Sequence, residues 1–333
     1  MQDVETRLRK AAKDLLTAGK VEMVLGFTGG SLPLRTRPCF VREAGEVDRL
    51  VWNGLCANNL AVYLPRLFEK PPGFRGEWTP PKVAVVAKAC DARSILGLVK
   101  ERQVPRANVV IIGMPCRGMV DPQKAQAAAG APLSDCRAAA DGNFEVTTTT
   151  GQAKSLGHDD VIAAACLQCA FPSAPNLDVQ IEGPSRPAAP QRFGDVKDFE
   201  ALAPKERWQR FITEISKCIR CYACRQACPN CYCKTCFIDQ SKPNWAGAGD
   251  DVSDLMLFHI GRIFHQGGRC VECDACVRAC PMGIDLRLFT QKVVQDAQEL
   301  FGYVPGASPD ELPPLCTFGA DDTDGFITDP QKD

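Results

Sequence analysis

Two runs of cysteine limit what this chain can become. KCIRCYACRQACP sets Cys218, Cys221, Cys224 and Cys228 ahead of Pro229, and RCVECDACVRACP sets Cys270, Cys273, Cys276 and Cys280 ahead of Pro281. Both read C-x2-C-x2-C-x3-C-P, a spacing that grips iron–sulfur cubanes. Three thiolates within seven residues wrap one cubane, while the turns between them aim amides at the sulfurs. The fourth cysteine opens a helix that heads away and reaches the other cluster. The spacing therefore predicts one [4Fe–4S] cluster on Cys218, Cys221, Cys224 and Cys280, and a second on Cys270, Cys273, Cys276 and Cys228. Zinc sites pair C-x2-C units across longer loops, a poor match to two identical four-cysteine runs.

Composition narrows the setting. At 333 residues the chain suggests two or three domains. Of its 19 cysteines, 11 fall between Cys218 and Cys280, in runs that suit thiolate ligation and suit disulfides badly. With 39 basic against 40 acidic side chains there is no electrostatic footprint for nucleic acid. A hydrophobic content of 45% allows a sizeable core and argues against global disorder. The start, MQDVETRLRKAAKDLL, is charged and amphipathic, without the apolar core of a signal peptide. No apolar stretch approaches the length of a membrane span. These features predict a cytoplasmic protein of anaerobic metabolism, with any membrane association made through a partner.

The patterning predicts an α/β domain with a partly parallel sheet over 1–190, an α-helical domain with two [4Fe–4S] clusters over 191–304, and an irregular tail over 305–333. Buried strands are expected at 21–27, 83–88 and 109–114. Helices are expected at 46–67, at 91–103 with Asp91 as its cap, and from 117 through the alanine-rich 125–129. Continuous apolar strands joined by a helix make a βαβ unit with parallel strands. GPSRPAAP, at 183–190, reads as a linker. Helices at 205–216 and 254–265 lead into the two cysteine runs.

A third cysteine set lies in the α/β region. Cys90 follows VAVVAK and Cys116 follows VVIIGM, so adjacent parallel strands would bring both thiols to the carboxyl edge of the sheet, where such folds bind ligands. Cys166 and Cys169 add a C-x2-C pair. These four are candidates for a third [4Fe–4S] cluster; ordinary buried thiols are the competing reading. Cys231, Cys233 and Cys236 crowd NCYCKTC, with Cys56 a candidate fourth ligand and Cys39 and Cys316 equally available. A fourth cluster, a redox-active or zinc-holding knuckle, and thiols packed against the cysteine-rich module all stay open.

Weaker signals complete the reading. In TGGSLPLRTRP, Gly29, Gly30, Ser31 and Arg35 could hold a flavin phosphate through a backbone nest, or form a plain turn with solvated arginines. Lys88, Asp91 and Arg93 border Cys90 and could line a flavin or carrier pocket. His259 and His265 are six apart and so lie on different helix faces, and His158 reads as a loop residue. Arg220, Arg225, Arg269 and Arg278 lie in or beside the cysteine runs, to raise cluster potential and dock an acidic partner, or to be solvated.

Forty-one residues, mostly helical in pattern, separate Cys228 from Cys270. In this the module over 205–290 resembles the α-helical ferredoxin of heterodisulfide reductase C subunits and of succinate dehydrogenase iron–sulfur subunits. KACD, MPCRG and CLQCAFPSAPNLDVQIEG, over 80–185, resemble the C-terminal domain of the beta subunits of coenzyme F420-reducing hydrogenase and formate dehydrogenase. The resemblance implies FAD beside a [4Fe–4S] cluster, and electron exchange between iron–sulfur subunits and a deazaflavin or nicotinamide carrier. The chain differs in carrying its ferredoxin module after the α/β domain and in lacking a GxGxxG fingerprint. Two functions are therefore expected to compete. One is an electron relay within a complex of hydrogenase, formate dehydrogenase or heterodisulfide-reductase-like subunits. The other is a catalytic subunit that holds FAD and exchanges electrons with coenzyme F420 or NAD(P)H. A non-redox scaffold is a third reading.

Overall fold

The computed structural model describes residues 2–139, 141–247 and 249–316. Its strands are β1 (Met23–Gly29), β2 (Thr36–Val41), β3 (Val83–Ala87), β4 (Val109–Gly113), β5 (Leu133–Ala138), β6 (Phe144–Thr148), β7 (Ala153–Leu156) and β8 (Val179–Gln180). A five-stranded sheet runs β2-β1-β3-β4-β8, with β1, β3, β4 and β8 parallel and β2 returning antiparallel beside β1. All of β3 is buried, as its unbroken apolar run demands of a strand covered on both faces. The Gln2–Thr17 helix adds a stripe of Val4, Leu8, Ala12 and Leu15 to this core, and the Ala89–Lys100 helix adds Ala92, Ile95 and Leu98. The domain is α/β.

Register decides what happens at the sheet edge. Val83 pairs with Val109 and Ala87 with Gly113, so the carboxyl ends of β3 and β4 are level and the chain leaves them side by side. Lys88–Cys90 and Met114–Cys116 therefore emerge as neighbours.

Three local expectations are corrected. The helix over 46–67 is not one element: it breaks into short 3-10 turns at Ala44–Arg49 and Leu60–Tyr63 and a single helical turn at Leu64–Leu67. Asparagine side chains compete with the helix ladder here. Leu55 N–H donates to Asn53 Oδ1 at 2.8 Å, and Ala61 N–H to Asn59 Oδ1 at 3.1 Å. Asp91 is not the N-cap of its helix. Lys88 holds that position, and its N–H donates back to Asp91 Oδ2 at 2.9 Å. The helix expected from 117 begins only at Pro122, capped by Asp121, whose Oδ1 accepts from Gln123 N–H at 2.8 Å. Gly118, at φ +102°, holds the preceding loop in a conformation closed to other residues, and a Cβ there would overlap Ile162.

A small antiparallel sheet, β5-β6-β7, was not anticipated. Its signal was present, since Asp141-Gly142 and Thr150-Gly151 punctuate short strands. The 183–190 segment is extended but not free. Cys116 N–H donates to Ser185 Oγ at 3.1 Å, Arg186 N–H to Cys116 O at 2.9 Å, and Ala189 N–H to Cys169 O at 2.8 Å.

Beyond it come the helices Gly194–Glu200, Pro204–Ile215, Val252–His265 and Arg287–Phe301, with two single-turn helices, Ala223–Gln226 and Ala275–Arg278, that pack on each other. This helical portion is clamped to the α/β domain. Glu101 accepts a fork from Arg269 at 2.6 and 2.8 Å and a third bond from Tyr232 at 2.5 Å. The tail expected from 305 starts packed, with Pro305 O accepting from Arg93 Nε at 2.9 Å; residues 317–333 lie outside the described ones. Among the described residues no helix is long and apolar enough to cross a membrane.

Candidate metal centre

The two cysteine runs share one backbone. Arg220 and Tyr222 in the first, and Glu272 and Asp274 in the second, all take left-handed φ between 52° and 59°. For residues with a side chain this costs on the order of 1–2 kcal/mol each, and such strain is characteristic of ligand clamps. The turns swing amides toward sulfur. Arg220 N–H donates to Cys218 Sγ at 3.3 Å, Glu272 N–H to Cys270 Sγ at 3.4 Å, and Ile284 N–H to Cys280 Sγ at 3.4 Å.

The thiols meet in a crossed arrangement. Cys218 and Cys224 neighbour each other and Cys280, and Cys221 adjoins Cys218 at the exposed rim. Cys228, Cys270, Cys273 and Cys276 line a single cavity. Burial, with the surrounding sulfurs adding to it, pushes Cys224 and Cys276 each up to about 11, while Arg262 opposes the rise. Such thiols stay protonated at neutral pH until a metal takes the proton's place.

At the sheet edge Cys90, Cys116, Cys166 and Cys169 line another cavity, and Cys273 borders it too. Burial is the main reason Cys116 is pushed up to about 12, with Cys166 raising it next. Met119 N–H donates to Cys166 Sγ at 3.3 Å. Positive charge rings this cavity. Arg93 is buried and stacks 4.1 Å from the Phe171 centroid, and Arg278 donates to Ala57 O at 2.8 Å. Lys88 is buried and pairs with Asp91 at 2.8 Å. Its Nζ also donates to Asn58 O at 2.7 Å and to Cys56 O at 3.0 Å. An amide on Cys166 and cations lining the same cavity as the four thiols suit an anionic cubane. Among the described residues no group of three or more His, Cys, Asp or Glu is drawn together tightly enough for a single metal ion.

Cys231, Cys233 and Cys236 line an open cleft of about 530 Å³ with Cys228, Tyr63, Arg66 and other residues. Cys56 does not join them. With no continuous helix over 46–67, its loop folds inward beneath Lys88, where Cys56 Sγ faces Val51 O at 3.7 Å and burial pushes its thiol up to about 12. Cys39 is likewise in the α/β core, and Cys316 is exposed on a terminal turn.

The proposed flavin set is divided. Gly29, Gly30, Ser31 and Arg35 lie on or beside the exposed hairpin turn between β1 and β2, where Gly30 N–H donates to Arg35 O at 3.1 Å; Asp91 is enclosed with Lys88. The motif arginines are engaged rather than solvated: Arg225 pairs with Asp239 at 2.7 Å, Arg269 with Glu101, and Arg220 donates to Gly249 O at 2.7 Å. His158 is not a loop residue but begins the short His158–Val161 helix, buried against Phe144, with Nε2 3.3 Å from Gly118 O.

His259 and Arg262 are buried on the inner stripe of the Val252–His265 helix, while His265 is exposed. Arg262 was missed in the sequence. Its signal was a single charged residue in register with Leu255 and Phe258, the stripe that must face inward. Among the described residues neither ring nitrogen of His259 finds a hydrogen-bond partner, and burial, reinforced by Arg262, pulls it down to about 4. A depressed histidine binds a proton in the unfolded chain first, so stability should fall as pH drops from about 6.5 toward about 4, by up to about 3 kcal/mol. Thermal melts at pH 7.5 and 5 test this: the acid-induced drop should be smaller in His259→Leu, and an equal drop in both proteins would refute it.

No family model matches the chain. It is 25% identical over 293 residues to the F420-dependent formate dehydrogenase subunit beta of Methanocaldococcus jannaschii, covering 70% of this chain and 76% of that one. It is 26% identical over 296 residues to the F420-dependent formate dehydrogenase 1 subunit beta of Methanococcus maripaludis, covering 70% and 75%. A chain of the F420-reducing [NiFe] hydrogenase complex from Methanosarcina barkeri superposes with a TM-score of 0.35 at 15% identity, over 49% of this chain and 58% of that one. Over 70% of its length the chain is thus similar in sequence to the beta subunits of F420-dependent formate dehydrogenases.

Proposed function

We propose that this chain is an iron–sulfur electron-transfer subunit of a multi-subunit anaerobic oxidoreductase, in the manner of the formate dehydrogenase beta subunits to which it is similar. The reading rests on the succession of three cysteine quartets. The first adjoins the second through Cys224 and Cys276, and Cys273 of the second borders the cavity of the third. Each [4Fe–4S] cluster bound there would supply a one-electron couple. The chain's own groups do the rest. Backbone N–H groups of Arg220, Glu272 and Ile284 stabilise sulfur charge, Arg93 and Arg278 offset the charge of the third quartet, and the Glu101–Arg269 fork keeps the two portions in register. The exposed rim at Cys221 suits exchange with a partner subunit.

A second reading, a subunit that itself holds FAD and exchanges electrons with coenzyme F420 or NAD(P)H, draws support from the 530 Å³ cleft beside Cys228, which offers Tyr63, Tyr232 and several arginines. Anaerobic affinity purification from cells, with iron, sulfide and flavin analysis, separates the two. The relay reading expects about twelve iron atoms per chain, a co-purifying redox subunit and no stoichiometric flavin. One flavin per chain would favour the second reading. Zinc, or far fewer than about eight iron atoms after reconstitution, would sink both.

A further inference from the structure

We propose that Arg262 is an electrostatic bridge between the two quartets of the cysteine-rich module, a positioning residue that holds both reduction potentials up together. This rests on the electron-transfer reading above. Arg262 is only 4% exposed, and a guanidinium does not shed its proton to escape burial. Uncompensated, such a charge would strongly disfavour the fold.

The compensation among protein groups is thin. Nη2 donates to Cys224 O at 3.1 Å, which ties the side chain to the first quartet. Among the described residues Nε and Nη1 are buried with no oxygen or nitrogen partner, and the sulfur within hydrogen-bond reach of the guanidinium is Cys231. Among the described residues no carboxylate forms an ion pair with Arg262, whereas Arg225 has Asp239 and Arg269 has Glu101.

Sulfur surrounds it instead. Cys276 and Cys228 of the second quartet, Cys231 just after it in the chain, and Cys224 of the first lie around it, and it lines the cavity that the second quartet encloses. Four thiolates around an oxidised cubane make a dianion, and adding one electron makes a trianion. A fixed cation between the two favours the more negative form of each, so it raises both couples. It also offsets the repulsion that the first added electron exerts on the second. No proton moves in this scheme; the electron comes from the titrant or the partner.

The experiment uses the full chain, reconstituted anaerobically with iron and sulfide. Arg262→Gln, Arg262→Lys and wild type are compared by dithionite titration followed by electron paramagnetic resonance, with iron content as the loading control. Arg262→Gln should load as wild type does and show both module couples shifted to lower potential, while Arg262→Lys, which keeps the charge, should shift less than half as far. Fully loaded Arg262→Gln with unmoved couples, or with only one moved, overturns the bridge while leaving the relay reading intact. Should Arg262→Gln lose iron, Arg262→Lys decides: loading with both couples near wild type supports the bridge, and failure to load or displacement of one couple refutes it. Absence of two reducible clusters in wild type itself would instead be failure of the electron-transfer reading.

Discussion

Replacing Cys228 by alanine will remove about four iron atoms per chain, and the cluster lost will be the one served by Cys270, Cys273 and Cys276 rather than by its own sequence neighbours. Cys228 shares a cavity with those three thiols, whereas Cys280 sits with Cys218 and Cys224. Double variants read the crossing directly. Two substitutions in one quartet remove one cluster between them; two in different quartets remove both. Cys228→Ala with Cys273→Ala should therefore lose no more iron than either alone, about four atoms, while Cys228→Ala with Cys221→Ala should lose about eight. The reverse pattern would show that each run holds its own cluster.

Lys88→Met should destabilise the chain by about 3–5 kcal/mol, the usual consequence of stranding one partner of a buried ion pair. Lys88 and Asp91 are 2% and 0% exposed, Lys88 Nζ lies 2.8 Å from Asp91 Oδ2, and Asp91 Oδ1 has no hydrogen-bond partner among the described residues. Burial already pushes the Asp91 carboxyl up, with Lys88 holding it down. Without the lysine, Asp91 would relieve the cost by taking a proton, so the loss should shrink as pH falls. Asp91→Asn in the same background should restore part of the stability. The substitution also frees Cys56 O and Asn58 O, loosening the loop whose Ala57 O holds Arg278 beside the third quartet. Melting temperature and iron content of wild type and the two variants check both effects. A Lys88→Met protein that melts like wild type would mean the pair contributes nothing net.

The legible parts of this molecule were those encoded over short stretches. Continuous apolar runs announced β1, β3 and β4, because a strand buried on both faces needs no polar alternation. Repeated x2-x2-x3 spacing announced the cysteine loops, because so few residues between thiols leave the backbone little choice but a turn around something held in common. The helix over 46–67 failed for the same local reason read wrongly: its apolar residues suited a helix, yet Asn53 and Asn59 bond neighbouring amides and break it. The β5-β6-β7 sheet was missed because its strands are half polar and short, leaving only their turn residues as a signal.

Distance along the chain marks where reading stopped. Spacing alone named the thiols and suggested that each fourth cysteine crosses over. It could not say that Cys56 would turn into the α/β core, that 183–190 would be pinned across Cys116 and Cys169, or that Glu101 would clamp Arg269 from 168 positions away. Nor could it single out Arg262, since a charged side chain on an inward stripe acquires meaning only from what faces it. Covalent spacing restricts which atoms a loop can gather. What neutralises a buried charge depends on elements brought together by packing, and that is settled only when the core closes around them.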